Sequence, residues 1–88
     1  MIIKLRNLGP ASFKMLAAAG ISSETQLRKL GAIAAFVAIK QAGESPSLNL
    51  LWAMEGALTD RDWRDIANND RLELLIQLED FENNMKQK

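Results

Sequence analysis

Ser47-Leu48-Asn49-Leu50-Leu51-Trp52-Ala53-Met54-Glu55-Gly56-Ala57-Leu58 is the stretch that decides how this chain folds. Only Ser47, Asn49 and Glu55 interrupt it with side chains that want water. Wound as a helix, it shows an apolar side chain in nearly every direction, and such a helix belongs at the centre of a bundle. Ser45-Pro46 just ahead supply a capping hydroxyl and a proline whose fixed φ suits the first helical position. A central helix is therefore predicted over about 46–58, with the rest of the chain as its cover. Gly56 inside it costs about 1 kcal/mol relative to alanine. The use expected of that glycine is close approach by a neighbouring helix.

Working outward towards the N-terminus, Gly43 ends a run, Ala32 to Ile39, that carries Ile33, Phe36, Val37 and the stem of Lys40 on one stripe. Valine and isoleucine also favour strands, but four alanines and the lack of alternation favour a helix. Gly31 marks a bend before it. Ser23 caps a shorter helix, with Gln26 placed to reach back to the Ser23 N–H as a capping box; Leu27 and Leu30 are its expected buried face. Gly9-Pro10 opens the first helix, with Phe13, Leu16 and Ala17 on its apolar stripe. Gly20 stops that helix in a left-handed conformation, and Ile21 supplies the hydrophobic contact that accompanies such an end. Residues 1–8 form an N-terminal arm.

Towards the C-terminus, Thr59-Asp60-Arg61-Asp62 is a polar turn that returns Trp63 and Ile66 to the bundle. Asn68-Asn69 caps the last helix, with Leu72, Leu75 and Ile76 on one stripe and Leu74, Leu78 and Phe81 beside it. Residues 83–88 are polar and expected to fray. The reading is an all-α, compact five-helix fold, a single domain over residues 1–88.

Eighty-eight residues hold one core. Hydrophobic residues at 48% and charged residues at 25% exclude a disordered chain. Without cysteine or histidine there is no disulfide framework, and zinc and iron–sulfur sites lose their usual ligands. The commonest general base and the best nucleophile are missing too, so neither an enzyme nor a cofactor is expected. The start Met-Ile-Ile-Lys-Leu-Arg has no signal-peptide apolar region, and no apolar run approaches a membrane span. A cytoplasmic protein without membrane contact is expected.

The net charge of zero conceals an asymmetry. Residues 1–43 carry six bases against Glu24 alone, a net +5, whereas residues 44–88 carry five bases against ten acids, a net −5. Such polarity suits an anionic partner at one end and a basic partner at the other; the alternative is mutual attraction of the two halves in the fold.

Three places invite a chemical reading. Leu5-Arg6-Asn7-Leu8-Gly9-Pro10-Ala11-Ser12 resembles the hairpin of helix-hairpin-helix proteins, in which N–H groups at a helix start cradle a DNA phosphate. Gly9 matches the second glycine of that hairpin and Leu8 its hydrophobe. Asn7 stands for the first glycine, and Ala11 replaces the usual lysine. The same stretch resembles the C-terminal domain of the RNA polymerase alpha subunit, which has a similar Arg-Asn-Leu-Gly run. On this reading Gly9 gives backbone approach, and Arg6, Lys4 and Lys14 supply screening charge; the plain alternative is a good helix start. Asp60-Arg61-Asp62-Trp63-Arg64-Asp65 fails as a calcium loop, because Asp65 and Arg71 occupy the positions that need glycine and glutamate; arginines and aspartates that neutralise one another are expected. Glu55 is expected to pair with a base of the N-terminal half or to lie at a helix edge. Trp52 and Trp63 are core anchors.

Leu8-Gly9-Pro10, the helix end from Leu16 to Ile21, the bend from Leu27 to Ala32 and above all the segment Ser47 to Leu58 resemble the C-terminal domain of the TfoX/Sxy competence regulators. The likeness covers about residues 5–80, and its signature residues are Leu48, Asn49, Leu51, Trp52, Glu55 and Gly56. The resemblance implies a compact helical domain of the helix-hairpin-helix or SAM-like kind. It implies a non-enzymatic regulatory or adaptor role in bacteria, by contact with a transcription-related protein such as the cyclic-AMP receptor protein, in activating DNA-uptake genes. Nonspecific DNA binding through the N-terminal half is the alternative. Family members usually carry an N-terminal α/β domain that these residues do not include, so a stand-alone relative or one module is expected.

Overall fold

The structure, a computed structural model, describes residues 8–86. Five helices follow in order: α1 (Pro10–Ala18), α2 (Glu24–Gln41), α3 (Leu48–Thr59), α4 (Trp63–Asn69) and α5 (Arg71–Lys86). No strand occurs among the described residues. The all-α reading and the count of five hold, with a different partition of the chain. The two helices expected on either side of Gly31 are both present, as the two arms of α2 that meet at a kink there. At Gly31 the backbone takes φ 81°, ψ 165°, far from helical values. The fifth helix is α4, which grows out of the polar turn that sequence alone left unwound.

Local chemistry explains most boundaries. Gly9 is the extended N-cap of α1 and Pro10 its first residue. At its end, Gly20 N–H donates to Ala17 O (3.0 Å) and Ile21 N–H to Leu16 O (2.9 Å), with Gly20 at φ 81°. This is the Schellman pattern, and its accompanying apolar contact joins Ile21 to Leu16, both buried. Ser23 Oγ accepts from Gln26 N–H (3.2 Å), while Gln26 Oε1 accepts from Ser22 N–H (2.7 Å). The cap is thus reciprocal, but the returning bond goes one residue earlier than a strict capping box.

Two starts differ from expectation. α3 begins at Leu48, with Ser47 as an extended N-cap that makes no side-chain cap bond. Pro46 therefore precedes the helix, because proline's φ suits extended chain as well as a first turn. Asn68 and Asn69 close α4 rather than open α5. The first helical bond of α5 runs from Leu74 N–H to Asp70 O (3.0 Å).

α3 lies at the centre, packed against α4 and α2, while α5 packs on α2 and α4, and α1 on α2. Seven of its residues are buried, from Leu50 to Met54 together with Gly56 and Ala57. Leu51 and Met54 have no accessible surface, and they meet Leu16, Leu27, Ile39 and Ile66, which are equally enclosed, in one core. In α2 the buried set is Leu27, Ala32, Ala35, Phe36, Val37 and Ile39, with Ile33 only half-buried. Leu30 is exposed instead of buried, since the break at Gly31 ends that arm's contact with the core just there.

The largest departure concerns α5. Its core stripe is Leu74 and Leu78, helped by Met85. Leu72 and Ile76, read as core, stand 73% and 53% exposed, and Leu75 is half-buried. Both stripes have helical spacing, and α2 packs on only one of them.

Candidate functional site

The N-terminal phosphate candidate is described only in part. Lys4 and Arg6 lie outside the described residues. Gly9 sits at the start of α1, and Lys14 projects into solvent from the same helix. Beside them a groove of about 290 Å³ runs between α1, α3 and α4, lined by Ala11, Ser12, Met15, Ser47, Asn49, Leu50, Ala53 and Trp63. The starts of both α1 and α3 face it. Neither start has a capping side chain or an acid in its first turn. Unsatisfied N–H groups and the partial positive charge of two helix ends therefore border one groove, apolar for the most part, with Ser12, Ser47 and Asn49 as its polar side chains. The Arg64 guanidinium lies 5.7 Å from the Trp63 ring centroid at the groove's far wall.

The signature residues of α3 divide by position. Leu51 and Trp52 are core, and Gly56 is buried. Leu48 is 39% exposed, a correction to its reading as core, and Asn49 is exposed on the groove. Both sit in the first turn of α3, at the surface. Glu55 is half-buried. Its neighbouring charges come from the C-terminal half, not from the basic half. Burial pushes its carboxyl above the ordinary value; Asp70 and, more weakly, Glu73 add to this, and Arg61 opposes it.

Arg61 is the hub of the polar turn. Its Nε donates to Asp65 Oδ2 (2.8 Å), and its Nη1 and Nη2 fork onto Asp70 Oδ2 (2.8 Å) and Oδ1 (3.2 Å). Asn69 Nδ2 donates to the other Asp65 oxygen. These bonds hold the Asp65 carboxyl below its ordinary range, Arg61 first and Asn69 second. The same hub raises the Arg61 guanidinium above its usual value through its bonds to Asp65 and Asp70. The arginine thus fixes the α3–α4 turn to the α4–α5 junction. Arg61 and Asp65 neutralise one another within the turn as expected, and Asp70, nine residues on, is a further partner. No group of residues suited to hold a metal ion occurs among the described residues.

The remaining feature is the outer face of α5. Leu72 and Ile76 lie one turn apart there, next to a shallow groove lined by Ala67, Asn68, Asn69, Arg71, Leu72 and Leu75. Exposed Glu73, Glu79 and Asp80 border the apolar pair.

The sequence matches the family of TfoX C-terminal domains over residues 1–78. The chain belongs to that family. No curated protein and no solved structure matches it. The match takes in all of α1 to α4 and ends within α5, so the central helix of this TfoX C-terminal domain is the segment that carried the resemblance. No helix among the described residues is long and apolar enough to cross a membrane. Sequence reasoning missed the outer face of α5 in the TfoX C-terminal domain because it assigned those residues to the core. The signal was present: two leucine stripes on one helix, more than one packing face can bury.

Proposed function

We propose that this TfoX C-terminal domain is a non-enzymatic regulatory adaptor that works in the bacterial cytoplasm by contact with a transcription-related protein. The observation that carries this reading is the pair Leu72 and Ile76, 73% and 53% exposed on one face of α5. A large apolar side chain singly exposed is ordinary, but a neighbouring pair beside a shallow groove of mixed lining supports contact with another protein there. Membership of a TfoX family supports the regulatory part of the reading. The test is affinity capture from a native bacterial lysate with the domain as bait. Retention of transcription-related protein is expected, and a bait that holds none sinks the reading.

A second reading, direct DNA-backbone contact, is favoured by the groove between the starts of α1 and α3, where Ser12, Ser47 and Asn49 add hydroxyl and amide donors. With Lys4, Arg6 and Lys14 at phosphates, log affinity for duplex DNA falls on log salt with a slope of about −2.7. Changing the three to alanine abolishes that slope. Absence of binding at low salt removes the DNA reading and leaves the adaptor reading standing.

A further inference from the structure

We infer that the outer face of α5 takes a specific kind of partner: a basic amphipathic helix, seated with its apolar stripe on Leu72 and Ile76 and its cations against Glu73, Glu79 and Asp80. The inference rests on the adaptor reading and names the chemistry of its partner.

Successive helical residues turn by about 100°. Leu72, Ile76 and Glu79 consequently fall within an arc of about 60°, facing away from the Leu74–Leu78 stripe that packs on the core. Glu73 and Asp80 lie one above the other along one flank, seven residues apart, and both are exposed. Glu73 also accepts a bond from Gln77 (3.3 Å), which holds its carboxylate along the helix surface. Arg71 is the one base on this stretch of α5. The face is therefore apolar at its middle and acidic along its rim. Two helices pack face to face through apolar residues spaced three or four apart on each, with flanking charges choosing the partner.

That rim argues against a second copy of this chain. A two-fold dimer sets the same patch against itself, which brings three acids from each copy together with one base apiece. Like charges across such a contact cost affinity. A lysine- or arginine-flanked helix meets the same rim with opposite charge.

The probe is a synthetic amphipathic helical peptide with leucines at i, i+4 and i+7 and lysines on both flanks. Its control carries glutamates in place of the lysines. Nitrogen-15 spectra of the full chain follow the titration, with sedimentation equilibrium alongside. The lysine peptide is expected to shift the amide signals of residues 71–80 and to bind at least about tenfold tighter than the control. Leu72→Asp with Ile76→Asp abolishes the binding, and a thermal melt checks that these exposed substitutions leave the fold intact. Glu73→Lys, Glu79→Lys and Asp80→Lys together invert the preference towards the glutamate peptide, a gain that a misfolded protein cannot produce. Equal binding of the two peptides, shifts elsewhere on the domain, or no binding overturns the inference. So does concentration-dependent dimerisation that Leu72→Asp removes, which assigns the face to a second copy. Lysate capture that survives Leu72→Asp with Ile76→Asp overturns this surface while leaving the adaptor reading intact; a wild-type bait that captures nothing overturns the adaptor reading alone, because the peptide titration does not depend on it.

Discussion

Replacing Gly31 with alanine tests the bend on which the placement of α2 depends. Gly31 stands at φ 81°, ψ 165°, a region that residues with a side chain almost never occupy. A Cβ added there meets nothing within 4 Å, so no clash contributes and the cost is one of backbone strain alone. Such strain is worth about 1–3 kcal/mol. Alanine stiffens the unfolded chain and recovers about 0.4–1 kcal/mol of this. The net loss is then roughly 0–2.6 kcal/mol, centred slightly above 1, with each kcal/mol lowering Tm by about 4–8 °C in a domain of this size. Urea unfolding and thermal melts followed by circular dichroism measure it. If α2 were one continuous right-handed helix, the same change would stabilise by about 0.5–1 kcal/mol. The two geometries thus predict opposite signs. A D-alanine at position 31, introduced by chemical ligation, sharpens the test, since its preferences mirror those of the L-residue. It stabilises the bent helix and disrupts a straight one. An L-alanine variant as stable as the parent, together with a destabilised D-alanine variant, would refute the bend.

Four further outcomes follow from the core and from charged groups around it. Leu51→Ala, at a site with no accessible surface, loses about 2–5 kcal/mol in urea unfolding because a cavity opens at the centre of α3. Asp65 and Glu55 act on the acid limb of the stability curve in opposite senses. The Asp65 carboxyl is held low, so its stabilisation is present above its unfolded pKa and lost as pH falls through the lower folded value; Asp65→Asn flattens that loss in acid unfolding. The Glu55 carboxyl is held high, so its charge is a penalty that sets in as pH rises past its ordinary value. Glu55→Gln therefore raises stability at neutral pH but not at acid pH, and an unchanged melt at pH 7 contradicts that sign. Lys40 Nζ lies 2.6 Å from Glu82 Oε2 and 6.0 Å from the Phe36 ring centroid at a largely solvated site. A double-mutant cycle on the ion pair gives a coupling of about 1 kcal/mol or less that shrinks in high salt.

Features that depend on a few neighbouring residues were legible in the sequence. Ser23 with Gln26, Gly20 with Ile21, and the apolar run of α3 each carry their cause within one or two helical turns. Sequence reasoning erred where two assignments satisfied the same local rule. Proline at 46 suits a first helical turn or the extended chain before one. Asn69 suits a helix start or a helix end. The candidate site was legible to a lesser degree. Asn49 was singled out as a polar intrusion, and it does line a groove. What put Ser12, Asn49 and Trp63 around one space was packing between helices distant in sequence, which no local pattern encodes.

The charge asymmetry and the two stripes of α5 bear on the same point. Attraction between a basic half and an acidic half would spend the acids on internal pairs. Among the described residues one ion pair, Lys40 with Glu82, joins the halves. Arg28 pairs with Glu24 within its own half, and Arg61 takes up Asp65 and Asp70 within the other. Glu73, Glu79 and Asp80 are left at the surface around Leu72 and Ile76, apolar residues with which a solvated helix face has no need of acids on two sides. An acidic rim on that patch discourages self-association and nonspecific apolar contact, since both require desolvating the carboxylates without compensation. It leaves the patch open to a partner that brings its own cations. Among the described residues, the α5 acids Glu73, Glu79 and Asp80 are thus exposed rather than engaged in ion pairs with the basic half.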